Sequence, residues 1–224
     1  MFVSLEKKIL FFHISKTAGT SVTQMLEKMC PDYEHSYQKI FKNNIGHYMT
    51  KRVTNRWGDW EDKDRFTHIT QTDARPFFKA ADIDYSDFFC FTIVRNPYER
   101  LRSQMEYLNL TQYNSIDFHI DNYQTDLNNR KAGYWFRSQM EYFRDPMTKN
   151  INVFKFEDLD KLWDKLKEFD DEKTLEVLHL NQNAKENSPT IRFSTNQKKR
   201  IYQLFKEEFD TFGYHPGFPV ASNL

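Results

Sequence analysis

Two polar stretches of this chain carry residue types that bind anions. The first, Ser15-Lys16-Thr17-Ala18-Gly19-Thr20-Ser21, sets one cation among hydroxyls around an Ala-Gly pair. It follows an apolar run, Ile9 to Phe12 and then Ile14, and precedes Val22, Met25 and Leu26 at helical spacing. That order predicts strand, loop and helix. The start of a helix has unpaired N–H groups and the positive end of the helix dipole, so such a junction attracts phosphate-like anions. Lys16 adds a mobile cation, Thr17, Thr20 and Ser21 add hydroxyl donors, and Gly19 lets the backbone close around a ligand. Ser and Thr are also common helix caps whatever the function, so this stretch alone leaves the two readings level.

The second stretch is Arg95 to Ser103, reached from the apolar run Phe88 to Val94. Arg95 offers a planar fork of donors suited to phosphate, and Ser103 lies about two turns up the helix that Pro97 opens. A single Arg at a strand end is usually a surface ion pair. An Arg and a Ser/Thr loop at the ends of two buried strands point instead to a ligand with two separate anionic groups. A nucleoside-triphosphate P-loop is disfavoured, because Lys16 follows Ser15 and lacks the glycine-rich lead-in.

The elements that must hold these stretches fit one domain of 224 residues with a single sizeable core, 39% of the chain being hydrophobic. Acidic and basic residues balance at 32 each, so no global field favours nucleic acid or an anionic membrane, and any anion site is local. Cys30 and Cys90 make no disulfide framework, and Cys90, in an apolar run, is a buried thiol of a reducing compartment. No apolar run is long enough to span a bilayer and no signal peptide precedes the first strand, so the chain reads as soluble and cytoplasmic.

Further strands are expected at Phe66–Ile69 and Ile151–Phe156. Helices are expected over Asp73–Ala80 behind a Thr72 cap, from Pro97, over Ser115–Leu127, Tyr134–Phe143, Glu157–Phe169 and Thr195–Phe209. The stretch from Asp32 to Arg65 gives no clear assignment. Strands alternating with helices predict an α/β domain with a parallel sheet, and both polar stretches sit just past a strand's carboxyl end, where such sheets bind ligands in a cleft.

The chain resembles the sulfotransferases that use 3′-phosphoadenosine 5′-phosphosulfate (PAPS), in their carbohydrate-sulfotransferase branch. H-I-S-K-T-A-G-T-S is similar to that family's 5′-phosphosulfate loop, P-K-T-[AG]-[GS]-T-S, with Ser15 in place of the proline. F-T-I-V-R-N-P-Y-E-R-L-R-S looks like its 3′-phosphate element, with Arg95 and Ser103 matching the two phosphate ligands. The likeness continues through V-F-K-F-E-D-L and K-E-N-S-P to D-T-F-G-Y at Asp210 to Tyr214.

The resemblance implies a P-loop-kinase-like three-layer domain, a central parallel sheet flanked by helices, that binds PAPS without metal. It implies Ser15, Lys16, Thr17, Ala18, Gly19, Thr20 and Ser21 around the 5′ end, and Arg95 and Ser103 around the 3′-phosphate. Sulfuryl transfer to an acceptor hydroxyl then needs positioning, charge stabilisation and a base. Lys16 would stabilise the leaving phosphate. Histidine suits the base, and His68, in F-T-H-I-T, matches the family's H-x-[ST] position, with His47, in I-G-H-Y-M-T, as the rival. His13 gets a packing role beside the site.

Of Arg100 and Arg102, at most one should reach the nucleotide. Asn187 and Ser188 could touch the adenosine from a late loop. The acceptor is expected to be a carbohydrate or another hydroxyl-bearing molecule; Trp57, Trp60, Tyr134 and Trp135 could stack on sugars. Two other readings compete: a kinase-like phosphotransferase, which would need magnesium and ATP, and a nucleotide-binding module without chemistry. The sequence sets no oligomeric state.

Overall fold

Among the described residues of the computed structural model, four short strands form a sheet in the order β1 (Phe2–Ser4), β2 (Ile9–Phe12), β3 (Phe89–Val94), β4 (Asn152–Lys155). The structure describes residues 1–44, 67–112, 114–123, 137–142, 151–171 and 191–218. β2, β3 and β4 run parallel, in a register that pairs Phe12 with Thr92 and Val94 with Lys155. β1 pairs antiparallel with β2 and was not expected. The architecture is the predicted α/β class, a mostly parallel sheet flanked by helices.

The near-continuous apolar strands follow from covering both faces of the sheet. Ile9, Phe11, Phe91 and Ile93 point to one face, into a cluster with Val22, Met25 and Leu26 of α1 (Gly19–Met29) and Leu162, Trp163 and Leu166 of α6 (Leu159–Leu166). Leu10, Phe12, Cys90 and Val94 alternate to the other face and are equally buried. Burial pushes the Cys30 thiol up to about 11 and the Cys90 thiol to about 12, and both are unbridged.

The chain divides into two compact units, Met1–Val94 with Glu141–Gln182, and Arg95–Met140 with Asn183–Leu224. The first holds the sheet, α1, α2 (Tyr33–Ile40), α3 (Gln71–Ala80) and α6. Asp32 anchors the β1 turn to α2: its carboxylate accepts from Ser4 Oγ (2.6 Å), Ser36 Oγ (2.6 Å) and the amides of Leu5 and Glu6. The second unit packs Tyr98, Leu101 and Met105 of α4 (Pro97–Tyr107) and Ile120 of α5 (Ile116–Asp121) with Ile201, Tyr202 and Phe209 of α7 (Thr195–Leu204) and α8 (Lys206–Phe212).

Several expected boundaries shift. Thr67 is helical and His68 lies in a turn, so neither belongs to a strand, and the cap of α3 is Thr70, whose hydroxyl accepts from Asp73 N–H, not Thr72. α6 is flanked by 3₁₀ turns at Phe156–Asp158 and Lys167–Phe169, so the expected Glu157–Phe169 helix is regular only in its middle. Ser115 caps α5 instead of entering it, and of Tyr134–Phe143 the described part is a 3₁₀ turn, Gln139–Tyr142. The terminal helix breaks at Phe205, which caps α8.

Candidate active site

The loop from His13 to Ala18 joins β2 to α1. Lys16 and Ala18 take left-handed backbone, with φ of 66° and 68°. For residues with a Cβ this conformation costs about 1–2 kcal/mol each, and turns that contain it can present backbone N–H groups to an anion. Thr17 Oγ1 donates to Ile14 O at 2.8 Å and closes the turn from within. Ala18 is the N-cap of α1 and supplies no side-chain cap. Thr70, Asn96, Ser115 and Ser194, by contrast, each cap the helix that follows them. Ser15, Thr17 and Ser21 are buried, Lys16 is half-buried and Thr20 is exposed.

Gly19 is needed for a reason other than the expected one. The left-handed positions are Lys16 and Ala18, while the Cα of Gly19 faces the His13 ring: a Cβ built there would lie 1.8 Å from His13 Cδ2 and Nε2. His13 directly follows β2, and its ring stacks on Phe11 with centroids 5.7 Å apart. Burial holds its imidazole well below the ordinary histidine range, with smaller contributions from His68 and the terminal amine. His13 Nδ1 is buried and makes no hydrogen bond among the described residues.

His68 sits 4.4 Å from the His13 ring, centroid to centroid. Its Nδ1 is 3.0 Å from His13 O. A carbonyl oxygen only accepts, so Nδ1 carries the hydrogen, and in the neutral ring Nε2 is the basic nitrogen. Its backbone is held as well, since Tyr142 Oη, fully buried, donates to His68 O at 3.1 Å. His68 is half-buried. A histidine oriented through Nδ1 with Nε2 basic can take a proton from an incoming hydroxyl.

The second stretch is built differently. Asn96 Oδ1 accepts from Tyr98 N–H at 3.0 Å and Pro97 opens α4, so this helix start is already capped by its own chain. Arg95 and Ser103, the expected ligands of this stretch, are both half-buried. Arg100 is buried and donates to Arg137 O at 2.8 Å, and Arg102 pairs with Glu99 and, at 4.0 Å, with Glu106.

The structure thus groups the Ser15–Ser21 loop with His13 and His68 in the first unit, and Arg95 with Ser103 in the second. The strands leading into them, β2 and β3, are hydrogen-bonded neighbours, and Thr92 Oγ1 donates to Phe12 O at 2.8 Å. His47, Trp57, Trp60, Tyr134, Trp135, Asn187 and Ser188 lie outside the described residues. The contact of His13 with Gly19 was missed by sequence reasoning, although both residues stand in the quoted motif.

Residues 1–109 match the model of the sulfotransferase family. This stretch, just under half of the chain, contains both motifs and is similar to the sulfotransferase family, whose general chemistry is sulfuryl transfer to a hydroxyl-bearing acceptor. The match stops before V-F-K-F-E-D-L and the last two helices. No curated protein and no solved structure matches the chain. Among the described residues, no helix is long and apolar enough to cross a membrane.

Proposed function

We propose that this protein transfers the sulfuryl group of PAPS to a hydroxyl of a carbohydrate or glycoconjugate, with His68 as general base. The observation that carries the reading is the orientation of His68 by the main chain of the same loop that holds Lys16. In this reading the uncapped start of α1 and Lys16 bind the 5′-phosphosulfate, while Arg95 and Ser103 bind the 3′-phosphate. The acceptor oxygen attacks sulfur in line, the bond from sulfur to the bridging phosphate oxygen breaks, and the acceptor proton passes to His68 Nε2. Lys16 offsets the negative charge that grows on the departing phosphate. The strained backbone at Lys16 and Ala18 supports the reading, because such strain collects at functional sites.

The test begins with a screen of hydroxyl acceptors using radiolabelled PAPS, with adenosine 3′,5′-bisphosphate release followed in parallel. Single-turnover transfer with saturating PAPS is then compared among wild type, His68→Ala and His47→Ala. Loss of a general base slows chemistry by about two to four orders of magnitude and leaves donor affinity nearly unchanged. A folded His68→Ala protein that transfers at the wild-type rate beside a dead His47→Ala protein moves the base to His47. Failure to bind PAPS, with tight magnesium-ATP binding instead, sinks the whole reading.

A further inference from the structure

The main chain of Arg95 is gripped at both of its polar groups by one side chain. Gln139 Oε1 accepts from Arg95 N–H at 2.9 Å, and Gln139 Nε2 donates to Arg95 O at 2.9 Å. A side-chain amide here makes the pair of bonds that a neighbouring strand would make, one residue past the end of β3. The two ends of an amide differ, so the grip exists in only one of its two orientations.

Glu208 selects that orientation. Its Oε2 accepts from Gln139 Nε2 at 2.7 Å, and its Oε1 accepts from Gln139 N–H at 2.7 Å and from Ser138 Oγ at 2.8 Å. A flipped amide would set its oxygen against the carboxylate and its NH₂ against the Arg95 N–H, losing the Nε2–Glu208 bond and both bonds to Arg95. Gln139 is fully buried and Glu208 is 1% exposed, so water cannot take over the lost bonds. The Arg100 guanidinium secures the same segment through Arg137 O at 2.8 Å.

We propose that Gln139 and Glu208 are positioning residues of the donor site, which fix the root of Arg95 so that its guanidinium meets the 3′-phosphate already aimed. Gln139 acts on Arg95 directly and Glu208 acts through Gln139. The proposal rests on the reading of Arg95 as a 3′-phosphate ligand. A binding group with an anchored root has less freedom to lose when ligand arrives, and misplacing it by about 1 Å can cost up to 100-fold.

Calorimetry with adenosine 3′,5′-bisphosphate and with adenosine 5′-phosphate tests it in wild type, Gln139→Met, Glu208→Gln and the double variant. The quantity read is the ratio of the two affinities, which isolates the 3′-phosphate from general damage. The ratio should fall roughly tenfold in each single variant, by the same misplacement argument, and no further in the double one. A folded Gln139→Met protein with the wild-type ratio, or losses that add in the double variant, overturns the proposal. A wild-type protein with no preference for the 3′-phosphate removes the assignment of Arg95 and this inference together. Should the variants fail to fold, amide hydrogen exchange on wild type decides: the Arg95 N–H should be protected without ligand and no more so with adenosine 3′,5′-bisphosphate. Fast exchange in the ligand-free protein overturns the grip.

Discussion

The loop at Ser15–Ser21 and the element at Arg95–Ser103, the two halves of the proposed donor site, are built in opposite ways. In the first, Thr17 bonds inward, Ala18 leaves α1 without a side-chain cap, and left-handed Lys16 and Ala18 shape the turn, so the proposed binding leans on the backbone together with Lys16. In the second the backbone is taken, since Asn96 caps α4 and Gln139 holds both polar groups of Arg95, so in the proposed reading the side chains bind the anion. A backbone site is sensitive to volume and conformation, whereas a side-chain site is sensitive to truncation.

The largest effect that distinguishes them is therefore expected from adding one methyl group. Gly19→Ala drives a Cβ into the His13 ring and should destabilise the protein by about 1–3 kcal/mol while abolishing binding of the 5′-phosphosulfate. Thermal melting and calorimetry with PAPS measure both, and adding His13→Ala should restore part of each. A Gly19→Ala protein with wild-type melting and affinity would break the contrast on the backbone side.

Next comes Arg95→Ala, which removes charge-assisted hydrogen bonds worth about 1.5–3 kcal/mol, followed by Ser103→Ala, which removes a neutral one worth about 1 kcal/mol. Both losses should appear with PAPS and vanish with adenosine 5′-phosphosulfate, which lacks the 3′-phosphate. Equal losses for the two ligands would mean that the element does not read that group.

Asn96→Ala should cost about 1 kcal/mol of stability through the lost cap and leave the preference for the 3′-phosphate alone. Chemical denaturation supplies the first number and calorimetry the second. A changed preference would place the α4 start among the ligand groups after all.

The smallest effect is one of pH. His13 is held neutral in the folded protein and titrates near its ordinary value of about 6.5 when unfolded, so below that value the unfolded chain binds the extra proton. Stability should fall as pH drops from about 6.5 towards the depressed folded value, and His13→Phe should flatten that slope in denaturation series. An unchanged slope would mean that His13 binds its proton about as readily in the folded protein as in the unfolded chain.

Much of the scaffold was legible because β2, β3 and α1 state their burial in their composition: long apolar runs for strands covered on both faces, then helical spacing at Val22, Met25 and Leu26. β1, only three residues long, gave too little pattern to detect. α2 was hidden because its buried residues, Ser36, Tyr37 and Ile40, include few aliphatic ones. His68 was flagged by its motif, but the strand assigned to it lacked a partner and the Thr70 cap turned the chain into a helix. The Gln139–Glu208 pair was illegible for a different reason. Its partners lie 44 and 69 residues away, and a polar pairing over such a distance leaves no periodic trace.

The wide separation of neighbouring strands also affects how the chain is made. Thr92 and Phe12 are bonded across 80 residues, and Asn152 Nδ2 reaches Cys90 O across 62. A ribosome adds about 5–20 residues per second, so β2 spends several seconds outside the exit tunnel before β3 exists to pair with it. During that interval β1 is, among the described residues, the strand available to pair with β2. The antiparallel hairpin it forms with β2 covers one edge of an apolar strand, leaving the other as the template on which parallel pairing begins.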